Sequence, residues 1–537
     1  MKKPTRHQQK QFRTNDGAPG DTASRLRWLT LLVFGIAFLA YVLLLTKNYY
    51  WDGIFFAQVI EDAPRVNATL IHPSHLLDLV FEYALYRGVP VLGLHPRALL
   101  VLQVSNCVLG AAAVALFFRT CFDWFKSLYV SLVVAALFAF SAVWWKFATD
   151  ADTYVFAVLF LLIAFWLLGS ERKPRPVTVA AIHAFAMLLH QLSVFFFPVA
   201  IAALIFQTRG KSRNQRQAIV LAYTVTVIAL TLGVYYFVFH LVMGTWSVAH
   251  FVKWITYFSP ENGFTFSVWS NLAYSIRSQW RTLLGGRTAF LRDMWGPAIV
   301  FLASLTIAAA FAFFFSLLRR WHEIRKAVPS VLREWRQSQS LIVLCALWIV
   351  PYLAFLFFFI PQNTFYRLFY LPAIMLLVGV ALTAIESSPD HVRRYRAALF
   401  VGVVFLANLT FSQYPYTQTR ANPPLELALK LNQVWPIGTT IYLAAPNSDD
   451  SLIRYFNPGT VWVQVTPAEI ARDMEKLPPS ARAAWLDTTL VDQFEGTPEG
   501  KAWLATHAMR RSDCELVNKK FRIRFYQLKP SSFSGPN

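Results

Sequence analysis

Residues Trp28 to Phe56 read WLTLLVFGIAFLAYVLLLTKNYYWDGIFF, and this stretch decides the fold. Nothing between Trp28 and Thr46 is charged, and the run matches the roughly 20 residues that cover the hydrocarbon core of a bilayer. It ends in Lys47 and a string of aromatics, and among them stands one carboxylate, Asp52. Aromatic side chains favour the lipid–water boundary, whereas an acid near hydrocarbon costs free energy. Asp52 is therefore either an acid held at the interface, where a lipid-borne substrate meets it, or a hydrated residue marking a helix end.

Upstream, Met1–Arg27 carries Lys2, Lys3, Arg6, Lys10, Arg13, Arg25 and Arg27 among Gly, Pro and Asp. Such a tail is expected to be disordered, and it is too long and hydrophilic for the start of a signal peptide. The apolar run is thus a retained span with its basic flank in the cytoplasm, which places Asp52 outside. The whole composition agrees: of 537 residues 56% are hydrophobic and 16% aromatic, with mean hydropathy +0.42. A soluble chain cannot hide so much apolar surface. The net charge of +21 falls between hydrophobic spans, so it reads as membrane topology and argues against a nucleic-acid partner. The four cysteines are scattered and suggest no disulfide framework.

Downstream, the basic loops fix the alternation. Arg119–Lys126, Glu171–Arg175, Arg209–Arg216, Arg319–Arg336 and Arg393–Arg396 all fall on the cytoplasmic side for one set of spans. After the first, these are Ala98–Phe118, Leu128–Phe147, Tyr154–Leu168, the short pair Val177–Leu189 and Ser193–Gln207, Ala218–Met243, Ala298–Leu318, Leu341–Ile360, Phe365–Thr383 and Ala397–Phe411. The prediction is a polytopic α-helical membrane protein of about eleven transmembrane helices over Trp28–Phe411, with the N-terminus inside. Two external loops result. Lys47–Arg97, interrupted by Asp78, Glu82 and Arg87, is expected to lie along the surface as amphipathic helices. Thr245–Gly296, rich in Trp and in arginines such as Arg277 and Arg281, suits an interfacial lid over a lipid headgroup, or plain interface anchoring. Beyond it, Ser412–Asn537 has no long apolar run and reads as a small external α/β domain. Its expected strands are Thr439–Leu443 and Thr460–Val465, its expected helices Leu425–Gln433 and Ala468–Lys476. No phosphate-binding glycine loop and no metal-type Cys/His spacing occurs.

On the outer side, Asp150 and Asp152 share a tight turn between two spans, where they hold a hydroxyl or cation or cap the next helix. Capping is the preferred reading for Asp150. His72 and His75 in Ile71–Leu76 and His190 between the two short segments share a depth at which they form a substrate site or serve as hydrogen-bonded core residues. Tyr366 and Arg367 open the tenth span from outside, where the arginine binds a lipid phosphate or snorkels to the interface.

The arrangement resembles the GT-C superfamily of membrane glycosyltransferases, the protein O-mannosyltransferase-like branch in particular. The resembling stretches are Trp51-Asp52-Gly53, Ile71-His72-Pro73, Phe140–Trp145 followed by Asp152-Thr153-Tyr154, and His190-Gln191 to Pro198. Many relatives have a second proline where Ser74 stands, some a paired acid at Gly53, and several Glu in place of Asp152. The resemblance implies a polyprenyl-phosphate-linked sugar donor, inversion at the anomeric carbon, Asp52 as the essential acid and Asp152 as the second. It makes His72, His75, His190, Tyr154, Tyr366, Arg367, Arg277 and Arg281 the expected substrate contacts. The acceptor is an envelope glycan, lipid or protein, and the setting the bacterial inner (plasma) membrane with the C-terminal domain periplasmic. No cofactor is called for, and a divalent cation stays open. Two rivals stand beside this reading: a secondary transporter, and a non-catalytic lipid- or glycan-binding membrane protein of the same fold. A transporter should show internal symmetry and acids at mid-membrane depth, whereas these acids gather at outer span ends.

Overall fold

The computed structural model describes residues 19–169, 173–256, 263–319, 329, 333–386, 391–445, 448–473, 484–518 and 520–529. Residues 1–18 of the basic tail, parts of the basic loops at 170–172, 320–328 and 330–332, and the end of the expected helix at 474–476 lie outside the described residues. The chain folds as two compact units. One comprises Met1–Leu45, Arg65–His95 and Val101–Gln413; the other comprises Thr46–Pro64, Pro96–Leu100 and Tyr414–Asn537.

The helices run in order α1 (Pro19–Val42), α2 (Trp51–Asp62), α3 (Asp78–Gly88), α4 (Ala98–Phe125), α5 (Leu128–Ala139), α6 (Ala142–Ala148), α7 (Tyr154–Leu167), α8 (Pro176–Leu189) and α9 (Phe197–Gln207). They continue as α10 (Arg213–Met243), α11 (Val248–Ile255), α12 (Val268–Leu283), α13 (Ala289–Asp293), α14 (Pro297–Arg319), α15 (Gln339–Phe358), α16 (Leu371–Glu386) and α17 (His391–Asn408). Among the described residues six helices are long and apolar enough to cross a membrane, seven if α5 and α6 count as one span. Four shorter apolar helices account for the rest of the eleven expected segments. The chain is a multi-pass membrane protein. Contrary to the expected disorder up to Arg27, residues 19–27 are already helical.

The expected span Leu128–Phe147 is not straight. It bends by 65° between α5 and α6, and the backbone groups freed there find partners, as they must away from water. Ser141 Oγ donates to the Phe138 carbonyl at 2.9 Å, and Asn408 Nδ2 donates to that of Phe140 at 2.8 Å. The same Asn408 amide reaches the Leu283 carbonyl at 2.8 Å and accepts from Gly285 N–H at 3.0 Å. One buried amide thus ties the bend, the end of α12 and the end of α17. Next to it Gly286 has φ +88°, and a Cβ there would collide with the Phe411 carbonyl.

The smaller unit joins α2 to α18 (Pro423–Val434), β1 (Thr440–Leu443), α19 (Ser448–Phe456), β2 (Val461–Gln464), α20 (Pro467–Asp473), β3 (Ala484–Leu486), α21 (Thr488–Glu495), α22 (Pro498–His507), β4 (Ala508–Val517) and β5 (Arg522–Leu528). The sheet order is β2-β1-β3-β5-β4, with β2, β1 and β3 parallel and the last two strands antiparallel. Both faces are covered, as a parallel sheet requires. Leu431, Trp435, Ile441, Trp485 and Phe525 pack on one side, and Tyr442, Leu486, Leu490, Val491 and Leu528 on the other.

Candidate functional site

The larger unit brings three of the sequence-selected regions together. The turn Ile71–Leu77 is stitched to the break after α8 by two main-chain bonds: Leu77 N–H to Leu188 O and Gln191 N–H to Ser74 O, both 3.0 Å. Tyr235 on α10 adds its hydroxyl to the Pro73 carbonyl at 2.8 Å. The result is a row of imidazoles. The His72 and His75 rings stack at 4.8 Å, and His75 lies 5.1 Å from His190. His190 Nδ1 accepts from Leu192 N–H at 3.2 Å, which puts the proton of the neutral ring on Nε2. That nitrogen is buried with no hydrogen-bond partner among the described residues.

An aromatic wall closes on this row. Tyr154, at the start of α7, lies 5.3 Å from His190 and 5.8 Å from Tyr366. Phe369 lies 4.8 Å from His190, and Phe365 stacks on Tyr154 at 5.0 Å. Tyr366 and Phe369 belong to the 3-10 turn Phe365–Phe369. Arg367 from the same turn does not open outward as expected. It is 1% exposed, and its guanidinium is spent inside the protein. Nε donates to Asn363 O at 3.2 Å and Nη2 to Pro361 O at 3.1 Å, while Nη1 donates to Tyr370 Oη at 2.6 Å and Gln279 Oε1 at 3.3 Å. It is a peg for the turn that presents the ring wall.

The turn carrying Asp150 and Asp152 is clamped from α4. Gln103 Nε2 donates to the Thr149 carbonyl at 2.9 Å, and Asn106 Nδ2 to those of Asp150 at 2.8 Å and Asp152 at 2.7 Å. Asp150 does not cap α7, whose N-cap is Thr153; it pairs with Lys146 Nζ at 2.6 Å in a buried ion pair. Asp152 is buried, and its Oδ1 accepts from Thr153 N–H at 2.8 Å.

Sequence reasoning missed two members. Asp78 and Glu82 read from the sequence only as charges that interrupt a surface-lying amphipathic segment. Instead α3 turns both inward, 1% and 6% exposed, while Phe81 between them packs on Phe156 of α7 at 4.9 Å. Asp78 Oδ2 and Glu82 Oε2 have no hydrogen-bond partner among the described residues. Burial, then the charges of Glu82 and Asp152, push the Asp78 carboxyl well above its ordinary range, and burial lifts Glu82 to about 8. Burial also lowers His72 to about 4 and, with His190 and His72 nearby, holds His75 well below the usual range. Near neutral pH the His72 and His75 rings are therefore neutral and the Asp78 and Glu82 carboxyls protonated, able to exchange hydrogen bonds with hydroxyl groups. The signal that could have found the acids is their i, i+4 spacing, which puts both on one helix face.

The remaining expected residues lie elsewhere. Arg277 and Arg281 are exposed on α12, beside exposed Trp269 and Trp280. That helix buries Asn271, Ser278 and Thr282 and turns its apolar side chains outward, the inverse of a soluble helix and suited to lipid. It borders an apolar cavity of about 430 Å³ lined by Ile276, Trp280, Leu371, Met375 and Phe400, among others. Asp52 belongs to the other unit, half-buried in the first turn of α2. Among the described residues no group of three His, Cys, Asp or Glu is arranged to hold a metal ion.

No family model matches the chain, and no curated protein sequence does. Its likeness is structural. The crystal structure of ArnT from Cupriavidus metallidurans in the apo state matches with a TM-score of 0.58 at 12% identity, over 96% of this chain and 100% of that one. The same enzyme bound to undecaprenyl phosphate gives 0.53 at 12% identity, over 97% and 100%. ArnT is a GT-C glycosyltransferase. This chain has the GT-C fold. At such identity the likeness speaks for the fold, and it does not single out the O-mannosyltransferase branch.

Proposed function

We propose that this chain is an inverting membrane glycosyltransferase. It moves a sugar from a polyprenyl-phosphate donor to an acceptor hydroxyl, on a glycan, lipid or protein, at the external face of a bacterial inner membrane. The observation that carries this reading is the cluster of His72, His75, His190, Asp78, Glu82 and Asp152 walled by Tyr154, Tyr366 and Phe369, inside a GT-C fold. Aromatic faces receive the apolar side of a sugar ring, while neutral acids and imidazoles bind its hydroxyls.

The donor's lipid tail suits the apolar cavity beside α12, and a neighbour of the same fold is known with undecaprenyl phosphate. With Arg367 committed internally, Arg277 and Arg281 are the cations offered to the phosphate. In the transfer, the acceptor oxygen bonds to the anomeric carbon as the bond to the phosphate oxygen breaks. The phosphate leaves with the electron pair, and the acceptor's proton passes to a carboxylate. Asp52 keeps that role from the resemblance, with Asp152 orienting hydroxyls. The positive loops argue for a cytoplasmic N-terminus and a periplasmic sheet domain.

Mass spectrometry of envelope glycans from cells with and without the chain tests this. A sugar modification should vanish on deletion and return with the intact gene, but not with Asp52→Asn. Identical glycans in both cells would remove the proposal.

A further inference from the structure

The smaller unit contains a polar knot that neither the fold nor the proposed chemistry has yet used. Glu61, near the end of α2, accepts at Oε1 from Ala98 N–H at 2.7 Å, Arg97 Nε at 2.8 Å and Tyr455 Oη–H at 2.9 Å. Its Oε2 meets Arg97 Nη2 at 2.8 Å. Arg97 Nη2 also donates to the Tyr455 carbonyl at 2.9 Å, and its guanidinium lies over the Tyr455 ring at 4.0 Å. Leu99 N–H donates to Tyr455 Oη at 3.1 Å. Burial alone would raise the Glu61 carboxyl. The bonds from Arg97, Ala98 and Tyr455 and the Arg97 charge outweigh it and hold the group below its ordinary range, so it is a carboxylate at neutral pH.

This knot is one end of a two-ended mount. At the other end Lys47 N–H donates to Tyr416 O at 2.6 Å, and Asn422 Nδ2 donates to Lys47 O at 3.0 Å. Tyr49 stacks on Phe456 at 6.1 Å. Between these pins α2 buries Gly53, Ile54, Phe56, Ala57 and Ile60 and packs on α19. Apolar packing tolerates small rotations and slides, whereas a directional network of charged hydrogen bonds does not. A helix rises about 1.5 Å per residue, so Glu61 sits about 14 Å along the axis from Asp52. A pin there fixes both the height and the rotation of the first turn.

We infer that the C-terminal sheet domain serves as a mount for α2, and that Tyr455, Glu61 and Arg97 are positioning residues that hold Asp52 in register for transfer. This rests on the proposed role of Asp52. It assigns the sheet domain a task in the transfer reaction: anchoring the acid-bearing helix.

The test uses the full chain in lipid nanodiscs, with Tyr455→Phe as the main variant because it keeps the ring and removes only the hydroxyl. Glu61→Gln is the second variant, and Arg510→Ala, an exposed residue on β4, the control. Hydrogen exchange read by mass spectrometry should show amides 51–62 opening on the order of tenfold faster in both clasp variants. Strands β1, β3 and β5 should keep wild-type rates. Carbodiimide labelling of Asp52 should change in rate, and the surface modification should fall on the order of tenfold at equal protein level. The control should match wild type in every readout. Unchanged exchange across residues 51–62, or equal loosening of α2 and the strands, overturns the inference, the second by reducing the clasp to general stability. Full surface modification in Asp52→Asn removes the functional reading beneath it, whatever the exchange shows, so the two failures are told apart.

Discussion

Arg367→Lys separates the two tasks an arginine at this position can perform. The guanidinium offers three nitrogens in one plane to four acceptors, two of them main-chain carbonyls of Pro361 and Asn363. An ammonium is a single point and can reach about two of them, so about two charge-assisted bonds are lost at roughly 1.5–3 kcal/mol each. Partial relaxation reduces this to a net loss on the order of 3 kcal/mol, since buried carbonyls then lack donors. For a chain of 537 residues the unfolding midpoint should fall by about 3 °C. Intrinsic tryptophan fluorescence of the purified protein in detergent measures that shift. Undecaprenyl phosphate affinity, measured well below both midpoints, should stay within about threefold, less than 1 kcal/mol. If Arg367→Lys melts at the wild-type temperature yet binds undecaprenyl phosphate tenfold more weakly, the guanidinium serves a ligand and the peg assignment is wrong.

Other outcomes follow from the same geometry. Asp52→Asn should lower transfer by roughly 10²–10⁴-fold while the protein still inserts and binds undecaprenyl phosphate, as loss of a general base does; wild-type turnover would move attention to Asp152. Glu82 is lifted to about 8, so the fold favours its neutral form. The stability this gives is intact below about pH 4.5, the ordinary range, and drains away as pH climbs through 8. Glu82→Gln should therefore flatten the fall in melting temperature between pH 6 and pH 9, and an unaltered pH slope would show that Glu82 is not the titrating group. Gly286→Ala puts a Cβ against the Phe411 carbonyl at a left-handed φ. It should destabilise by at least about 1–2 kcal/mol, read as a lower melting temperature, and a wild-type melt would mean the loop relaxes freely. Reporter fusions after Arg213 should signal cytoplasm, and those after Asp52 and Ala445 the exterior; a cytoplasmic signal at Ala445 would reverse the proposed sidedness.

The membrane class of this chain was legible in residues such as Trp28–Thr46, because hydrocarbon imposes a length and an apolarity that leave a one-dimensional trace. The order of acids, histidines and tyrosines along the first six segments carried the resemblance to the GT-C superfamily. In the C-terminal domain β1 and β2 were visible as short β-branched and aromatic runs. Strand β4 was not, since Arg510, Arg511, Asp513 and Glu515 make it look like a solvated segment, and only its antiparallel pairing with β5 makes it a strand. Direction is what the sequence lacks. Asp78 and Glu82 read only as charges interrupting a surface segment, whereas α3 buries both. Arg367 reads as a phosphate ligand or a residue snorkelling to the interface, whereas acceptors from Pro361, Asn363, Tyr370 and Gln279 surround it. Asp150 read as a cap until Lys146 met it. The sequence by itself determined the membrane class and carried the likeness to the GT-C fold, since apolar length and spacing are local properties of the chain. The tertiary structure alone decided which charges are spent inside the fold. Burial and pairing depend on neighbours distant in the chain, and no local pattern encodes them.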